Sequence, residues 1–480
     1  MTPEAVADHI GALRAQLGEK GLLAGGDLAA YETGARYDQG RAAFVMRPAT
    51  TAEASQAVAY CVRHGIPVIP QSGNTGLVSG STPDETGSQA ILSLDRMTAV
   101  FEVDAVNQTV RAGAGWRLSA LNARLEADGL FFPIDLGAVP MLGGMIATNT
   151  GGSRFLRYGD VRANTLGLDV VLADDDGTVL ELGSGLRKDN TGIDWKQLFI
   201  GSVGALGVVT ECILNLEALP QQGAATLLVP SSADAVPALL IAMERAFGDT
   251  LSAFEGMSGN AIRAAFAHVP HLRNPFENGE VPDFVILAEL ARSNAARAGE
   301  QPLDALLEEV LAEIWENGDD LLSDALMGPP EDIWALRHAL SDGVKNAGKL
   351  IAFDLAFRRG DVMDFLSYMK AELAKAFPML TVCDFGHLGD GGVHFNLIAP
   401  HDHPALADPG FETSVRDLVF SVAVERFGGS FSAEHGIGRK NQAYYDRYTP
   451  EAIRDLAARL KQAISPAPLG AAIFSNTRTK

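Results

Sequence analysis

Apolar positions along the chain follow two spacings. Residues 4 to 32 carry them at helical intervals broken by glycines, and Thr51-Ala52-Glu53-Ala54 opens a further helix through a hydroxyl cap, with Gly65 as its stop. Short apolar runs bounded by turn residues predict strands at Pro67-Val68-Ile69-Pro70, Ala90 to Leu94, Thr109 to Ala112, Leu168 to Ala173 and Leu206 to Leu216. A helix is predicted over Leu118 to Asp128, and the mixture indicates an α+β domain ending near Pro220. Beyond it, strands (Thr226 to Val229, Phe284 to Leu290, Leu350 to Ala356) alternate with helices (Ser232 to Phe247, Pro302 to Asn317, Asp361 to Ala376). That alternation predicts a sheet with helices packed on one side. Residues 411 to 480 return to helix, at Phe411 to Phe427 and Pro450 to Ile464. A chain of 480 residues exceeds what one core usually serves. Two domains follow: 1–220, with its core at about 40–220, and 221–480.

Two glycine-rich stretches share one chemistry, and the first is too rich in glycine and hydroxyls for regular structure. The first is Gln71-Ser72-Gly73-Asn74-Thr75-Gly76-Leu77-Val78-Ser79-Gly80-Ser81, and the second is Pro140-Met141-Leu142-Gly143-Gly144-Met145-Ile146-Ala147-Thr148-Asn149-Thr150-Gly151-Gly152-Ser153. The first is neither a dinucleotide fingerprint nor a lysine-bearing P-loop. Glycines let backbone approach a ligand closely, and consecutive amides can wrap a pyrophosphate without formal charge. The pair predicts a long phosphate-bearing ligand, the alternative being glycine turns in a crowded domain.

A third stretch carries chemistry. In His387-Leu388-Gly389-Asp390-Gly391-Gly392-Val393-His394-Phe395-Asn396, Asp390-Gly391 is a two-residue hairpin signal. Folded so, Leu388 faces Val393 and His387 faces His394, with side chains about 5 Å apart at Cβ. Asn396 falls on the same face. Two imidazoles on rigid strands suit a metal, and Glu434-His435, in Ser432-Ala433-Glu434-His435-Gly436-Ile437-Gly438, adds a carboxylate ligand and a neighbouring base. The alternative is an ordinary hairpin whose polar residues face water.

Composition narrows the classes. With 47% hydrophobic and 20% charged residues and no apolar run near the ~20 residues of a membrane helix, no integral membrane segment is expected. A net charge of -22 argues against a nucleic-acid partner, which needs a basic face, and obliges an anionic substrate to find a local positive site. Cys61, Cys212 and Cys383 match no zinc or redox spacing, and the N-terminus lacks a basic segment followed by an apolar core. A reducing, cytoplasmic location is the expectation.

Taken together, Pro70-Gln71-Ser72-Gly73-Asn74-Thr75-Gly76-Leu77, Gly143-Gly144-Met145-Ile146-Ala147-Thr148-Asn149, Gly201-Ser202-Val203-Gly204-Ala205-Leu206-Gly207-Val208-Val209-Thr210, the histidine stretch and Glu434-His435-Gly436-Ile437-Gly438 resemble the FAD-linked D-2-hydroxyacid dehydrogenases. That group spans D-2-hydroxyglutarate dehydrogenase, D-lactate dehydrogenase and the glycolate oxidase D subunit, within the vanillyl-alcohol oxidase type of flavoprotein. The match is collinear from about residue 40 to 478. It implies an α+β fold: a two-lobed FAD-binding domain followed by a C-terminal substrate domain with an antiparallel sheet covered by helices. It implies noncovalent FAD at Gln71, Ser72, Gly73, Asn74, Thr75, Gly76, Leu77, Gly80, Ser81, Pro140, Gly143, Gly144, Thr148, Asn149, Gly152, Val208 and Asn441, neither loop offering a histidine for a covalent link. It further implies a divalent metal, zinc first and manganese or iron as alternatives, on His387, His394 and Glu434. His435 becomes the base, and Arg337, Ser341 and Asn396 become substrate contacts.

The implied reaction removes two hydrogens from a D-2-hydroxyacid, with electrons passed to an electron-transfer flavoprotein or a quinone. Homodimerisation is a family-level expectation. Four positions depart from the pattern: Ala352 stands where a lysine is usual, Ser341 where a threonine is usual, and Val203 and Ala205 where Glu and Thr are usual. Losing the lysine removes one way to bind a second carboxylate, as in hydroxyglutarate. Competing readings are a metal-dependent hydrolase using the His/His/Glu set, and an inactive flavin-binding subunit of an oxidase complex. A nicotinamide enzyme ranks lower, because no strand leads into the required glycine turn.

Overall fold

The computed structural model describes residues 3–26, 28–35, 38–276, 279–316 and 320–474. Its first lobe is a four-stranded sheet in the order Leu22–Leu23, Ala42–Met46, Gln89–Ser93, Val68–Gln71, with the last three strands parallel. The helix Thr51–Arg63 covers it and buries Ala54, Ala57, Val58 and Cys61. Its cap is Thr50, whose hydroxyl accepts from the Glu53 amide at 3.1 Å while Glu53 accepts from the Ala49 amide at 2.7 Å. The second lobe is a five-stranded antiparallel sheet, Phe101–Asp104, Thr109–Gly113, Val208–Asn215, Thr165–Val171 and Val179–Leu182. The helix Leu142–Thr148 packs Leu142, Met145 and Ile146 into the core beneath that sheet.

The C-terminal part is built on one large antiparallel sheet whose central strands are buried on both faces. One apolar layer joins Leu228, Phe254, Ile286, Ile351 and Phe395 to the helices Ala235–Phe247, Leu303–Glu316, Val362–Ala376 and Phe411–Ser421. Another joins Leu227, Met257, Leu287 and Ile398 to Gly259–His268 and Pro330–Asn346. Helices therefore cover both faces, not one as expected. The strands Leu251–Ser258 and Leu322–Gly328 were not visible in the apolar pattern, and Asn317, the expected end of one helix, lies outside the described residues. Residues 465 to 470 return to the first lobe, where Ser465 Oγ accepts from the Ala173 amide at 2.8 Å and Leu469 bridges Val68.

The histidine hairpin has a different register from the expected one. His394, on Gly392–Ala399, stands opposite Phe385 and not His387. The carbonyl of His387 accepts from the amides of Asp390, Gly391 and Gly392 at 3.1, 3.0 and 3.0 Å, curling residues 387–391 into a wider turn. Gly391, at φ +93°, makes this possible, because a side chain there would strike the Phe357 carbonyl.

Candidate active site

The two glycine-rich loops face each other across a cleft. A methyl group on Gly73 would lie 3.0 Å from the Met141 amide nitrogen, and one on Gly144 would lie 3.4 Å from Ser72 Cβ, so bare backbone lets the loops meet. Gln71 Nε2 donates to the carbonyls of Tyr31 and Ser81, and Ser81 Oγ donates to Asn74 Oδ1, which closes the first loop on itself. Between these loops and the C-terminal sheet lies a cavity of about 480 Å³, within the range of cofactor and ligand sites. All but three of the positions expected at the cofactor line it. Asn149, Gly152 and Asn441 lie off it. Asn149 side-chain atoms pair with Asp160 and the Arg162 amide, and Asn441 spans the Gly438 amide and the Gly436 carbonyl, so both hold backbone in place. Gly152 donates its amide to Glu434 Oε1 at 2.9 Å.

Arg337, Ser341, Asn396, His387, His394, Glu434 and His435 line the other end of the same cavity. Ala352 lies there too, directly opposite Asn396 in the strand pairing. Val203 also lines the wall and adopts φ +52°, unusual for a β-branched residue, with its amide bonded to the Ala147 carbonyl at 2.7 Å. The loop Ser432 to Gly438, expected near helix, is irregular backbone; Asp354 Oδ2 accepts from the Glu434 and His435 amides at 2.7 and 2.8 Å and fixes it.

Two carboxylates that sequence reasoning missed organise the imidazoles. Glu255, 1% exposed, places Oε1 2.7 Å from His387 Nδ1 and Oε2 2.8 and 2.7 Å from Arg337 Nε and Nη2. Burial opposes its charge, but the neighbouring His387 and Arg337 outweigh it and hold the carboxyl below its usual range. Burial likewise works against protonating His387, yet Glu255 and Glu434 push it up to about 10. Asp354 lies 3.6 Å from His394 Nδ1 and 3.7 Å from His435 Nδ1. Its carboxyl is also held low, because His435 and His394 overcome the cost of burial. His394, half-buried, is held well below the ordinary imidazole value by desolvation and the facing His387, and stays neutral. Both acids were visible as single charges inside apolar runs, Phe254-Glu255-Gly256-Met257 and Ala352-Phe353-Asp354-Leu355.

Donor atoms of His387, His394 and Glu434 all lie within 4.8 Å of one another, as do those of Asp354, His394 and His435. The first set fits a divalent cation better, since Asp354 already receives two amides. His387 keeps Nδ1 for Glu255 and turns Nε2 toward Glu434 Oε1 at 3.9 Å, a gap too long for a hydrogen bond. A set of two imidazoles and one carboxylate suits zinc, manganese or iron.

An FAD binding domain model matches residues 42–183, and a model of the C-terminal domain of FAD linked oxidases matches residues 219–469. The chain is 35% identical to the mitochondrial D-2-hydroxyglutarate dehydrogenase of Bos taurus, over 89% of this chain and 76% of that one. It is 32% identical to the mitochondrial D-2-hydroxyglutarate dehydrogenase of Arabidopsis thaliana, over 89% and 74%. It is 30% identical to a D-2-hydroxyglutarate–pyruvate transhydrogenase of Saccharomyces cerevisiae, over 85% and 82%. Among solved structures, p-cresol methylhydroxylase superposes with a TM-score of 0.73 at 16% identity over 97% of this chain and 96% of that one. Alkyldihydroxyacetonephosphate synthase does so with 0.71 at 17%, over 100% and 86%. The fold is thus the expected vanillyl-alcohol oxidase type. The cytoplasmic expectation is overturned: the cattle and thale-cress relatives are named mitochondrial, which points away from the cytoplasm.

Proposed function

Because the chain belongs to the FAD-linked D-2-hydroxyacid dehydrogenases, and so oxidises a D-2-hydroxyacid with FAD, we propose that His435 is its base and that His387, His394 and Glu434 hold a divalent metal. One observation carries this reading: the glycine-rich loops, these four side chains and Arg337 all border a single cavity. When bound, FAD would supply a hydride acceptor for the C2 hydrogen, and a metal on His387, His394 and Glu434 would supply charge withdrawal from the substrate oxygens. His435 accepts the hydroxyl proton, its backbone fixed by Asp354. Arg337, held on two of its nitrogens by Glu255, keeps Nη1 to meet the substrate carboxylate. Asn396 and Ser341 supply further polar contacts. Ala352 offers no charge to a second carboxylate, which would need another cation of the wall such as Lys345. FAD is held noncovalently, and electrons leave to an external acceptor, an electron-transfer flavoprotein or a quinone. Among the described residues no helix is long and apolar enough to cross a membrane.

The test is the visible spectrum of the purified protein, followed anaerobically as D- and L-lactate, malate and 2-hydroxyglutarate are added in turn. A yellow protein bleached by D-isomers, with bleaching lost on chelation or in His435→Ala, is the expected result. Bleaching that survives both treatments would overturn the assigned roles.

A further inference from the structure

One short stretch leaves the second glycine-rich loop and reaches across to the C-terminal sheet. Leu156 packs beside Gly389 in the His387 turn, where an added methyl would lie 3.2 Å from its Cδ2, and Arg157 donates to the Ala291 carbonyl. Arg154 does more. Its Nε and Nη2 grip Glu289 at 2.8 and 3.0 Å, and its Nη1 reaches Asp135 at 2.8 Å. Glu289 is only 7% exposed and all four of its acceptor positions are filled. Besides Arg154 it receives Ser252 Oγ at 2.6 Å and Trp334 Nε1 at 2.8 Å. The Arg154 guanidinium also lies over the Trp334 ring, 4.9 Å from its centroid.

Trp334 sits on Pro330–Asn346, one turn before Arg337. Residues three apart on a helix share a face, so fixing Trp334 fixes the roll of the helix and the aim of Arg337. A bidentate guanidinium–carboxylate pair constrains angle as well as distance. Arg154, Glu289 and Trp334 do not line the cavity themselves.

We propose that Arg154 is a positioning residue: through Glu289 and Trp334 it sets the helix that aims Arg337 against the loop that holds the cofactor. The proposal rests on the reading of Arg337 as the carboxylate ligand. The test uses the flavin-loaded protein and two readouts. These are KM and kcat with the D-hydroxyacid that bleaches it, and the dissociation constant of oxalate, a nonoxidisable carboxylate probe, from the change in flavin absorbance. Arg154→Met should raise KM and the oxalate dissociation constant by about 10- to 100-fold, the scale of a misplacement of about 1 Å. The limiting rate of flavin reduction should change less, and Arg154→Lys should recover part of the affinity. Trp334→Phe removes the N–H together with part of the ring beneath Arg154 and should weaken both by several-fold. It decides the matter if Arg154→Met does not fold. Unchanged KM and oxalate affinity in a yellow, folded Trp334→Phe or Arg154→Met protein, or a fall in kcat alone, would overturn the proposal. A wild-type protein that binds oxalate but is bleached by no hydroxyacid would overturn the oxidation reading instead, with oxalate affinity still reporting on the clamp.

Discussion

Glu255→Gln keeps the shape of the side chain and removes the charge that balances Arg337 and His387. Glu255 is 1% exposed and contacts both cations at 2.7 to 2.8 Å, so the change removes the nearest counterion of both and leaves His387 only Glu434, 3.9 Å away. Breaking one side of such a buried pair costs about 3–5 kcal/mol. An independent figure comes from His387, raised from 6.5 to about 10, which corresponds to at most about 5 kcal/mol. The raised histidine contributes its stability fully below pH 6.5 and loses it as pH climbs through about 10. Glu255, held low, contributes above its unfolded value of 4.5 and loses its part as pH falls through its lower folded value. Guanidinium unfolding of chelator-treated, flavin-loaded protein, read by tryptophan fluorescence, should therefore show the wild type losing up to about 4 kcal/mol between about pH 6 and about pH 9.5. The Glu255→Gln protein should start about 3–5 kcal/mol lower near pH 6 and show a smaller further loss, since Glu434 still faces His387. Parallel pH profiles for the two proteins would refute the reasoning, because the slope is assigned to this carboxylate.

Other consequences are more direct. His435→Ala should lower kcat by about 100- to 10,000-fold while flavin content stays that of the wild type, measured by anaerobic stopped-flow reduction; near-normal reduction would remove His435 from the chemistry. In Asp354→Asn one amide oxygen replaces a carboxylate that now receives two backbone N–H groups, so the Glu434-His435 turn should lose about 1–3 kcal/mol of support. Its kcat/KM should fall at least about tenfold, and an unaltered value would show that the turn is held by other contacts. Gly73→Val should push the loops apart at Met141 and yield a folded but colourless protein, judged by absorbance at flavin wavelengths beside far-UV circular dichroism. Full retention of flavin would mean that the close approach of the loops is not required for binding.

Much of the local structure was legible because its causes are local. The hydroxyl-capped helix at Thr51, the strands at Ala90, Thr109 and Leu168, and the first glycine loop follow from caps, periodicity and the lack of side chains at a few positions, whereas residues Leu142–Thr148 of the second glycine-rich stretch form a helix. Less was legible where pairing decides. The Asp390-Gly391 signal was read as a two-residue turn, but three amides converge on the His387 carbonyl and shift the partner of His394 to Phe385. The strand Leu251–Ser258 was missed because it is buried along its whole length and so shows no alternation.

The site divides in the same way. The sequence by itself determined which side chains could do chemistry: His387, His394, Glu434 and His435 carry donors that no packing role demands, and bare glycines mark where a backbone can approach a phosphate. Only the tertiary structure decided that these groups share one cavity, that Asn149 and Asn441 brace backbone instead of lining it, and that Glu255 and Asp354 set the charge of the imidazoles. The physical reason is that donor chemistry belongs to a residue, whereas burial and the distance to a counterion belong to pairs. Glu255 and His387 are 132 positions apart in sequence and 2.7 Å apart in space.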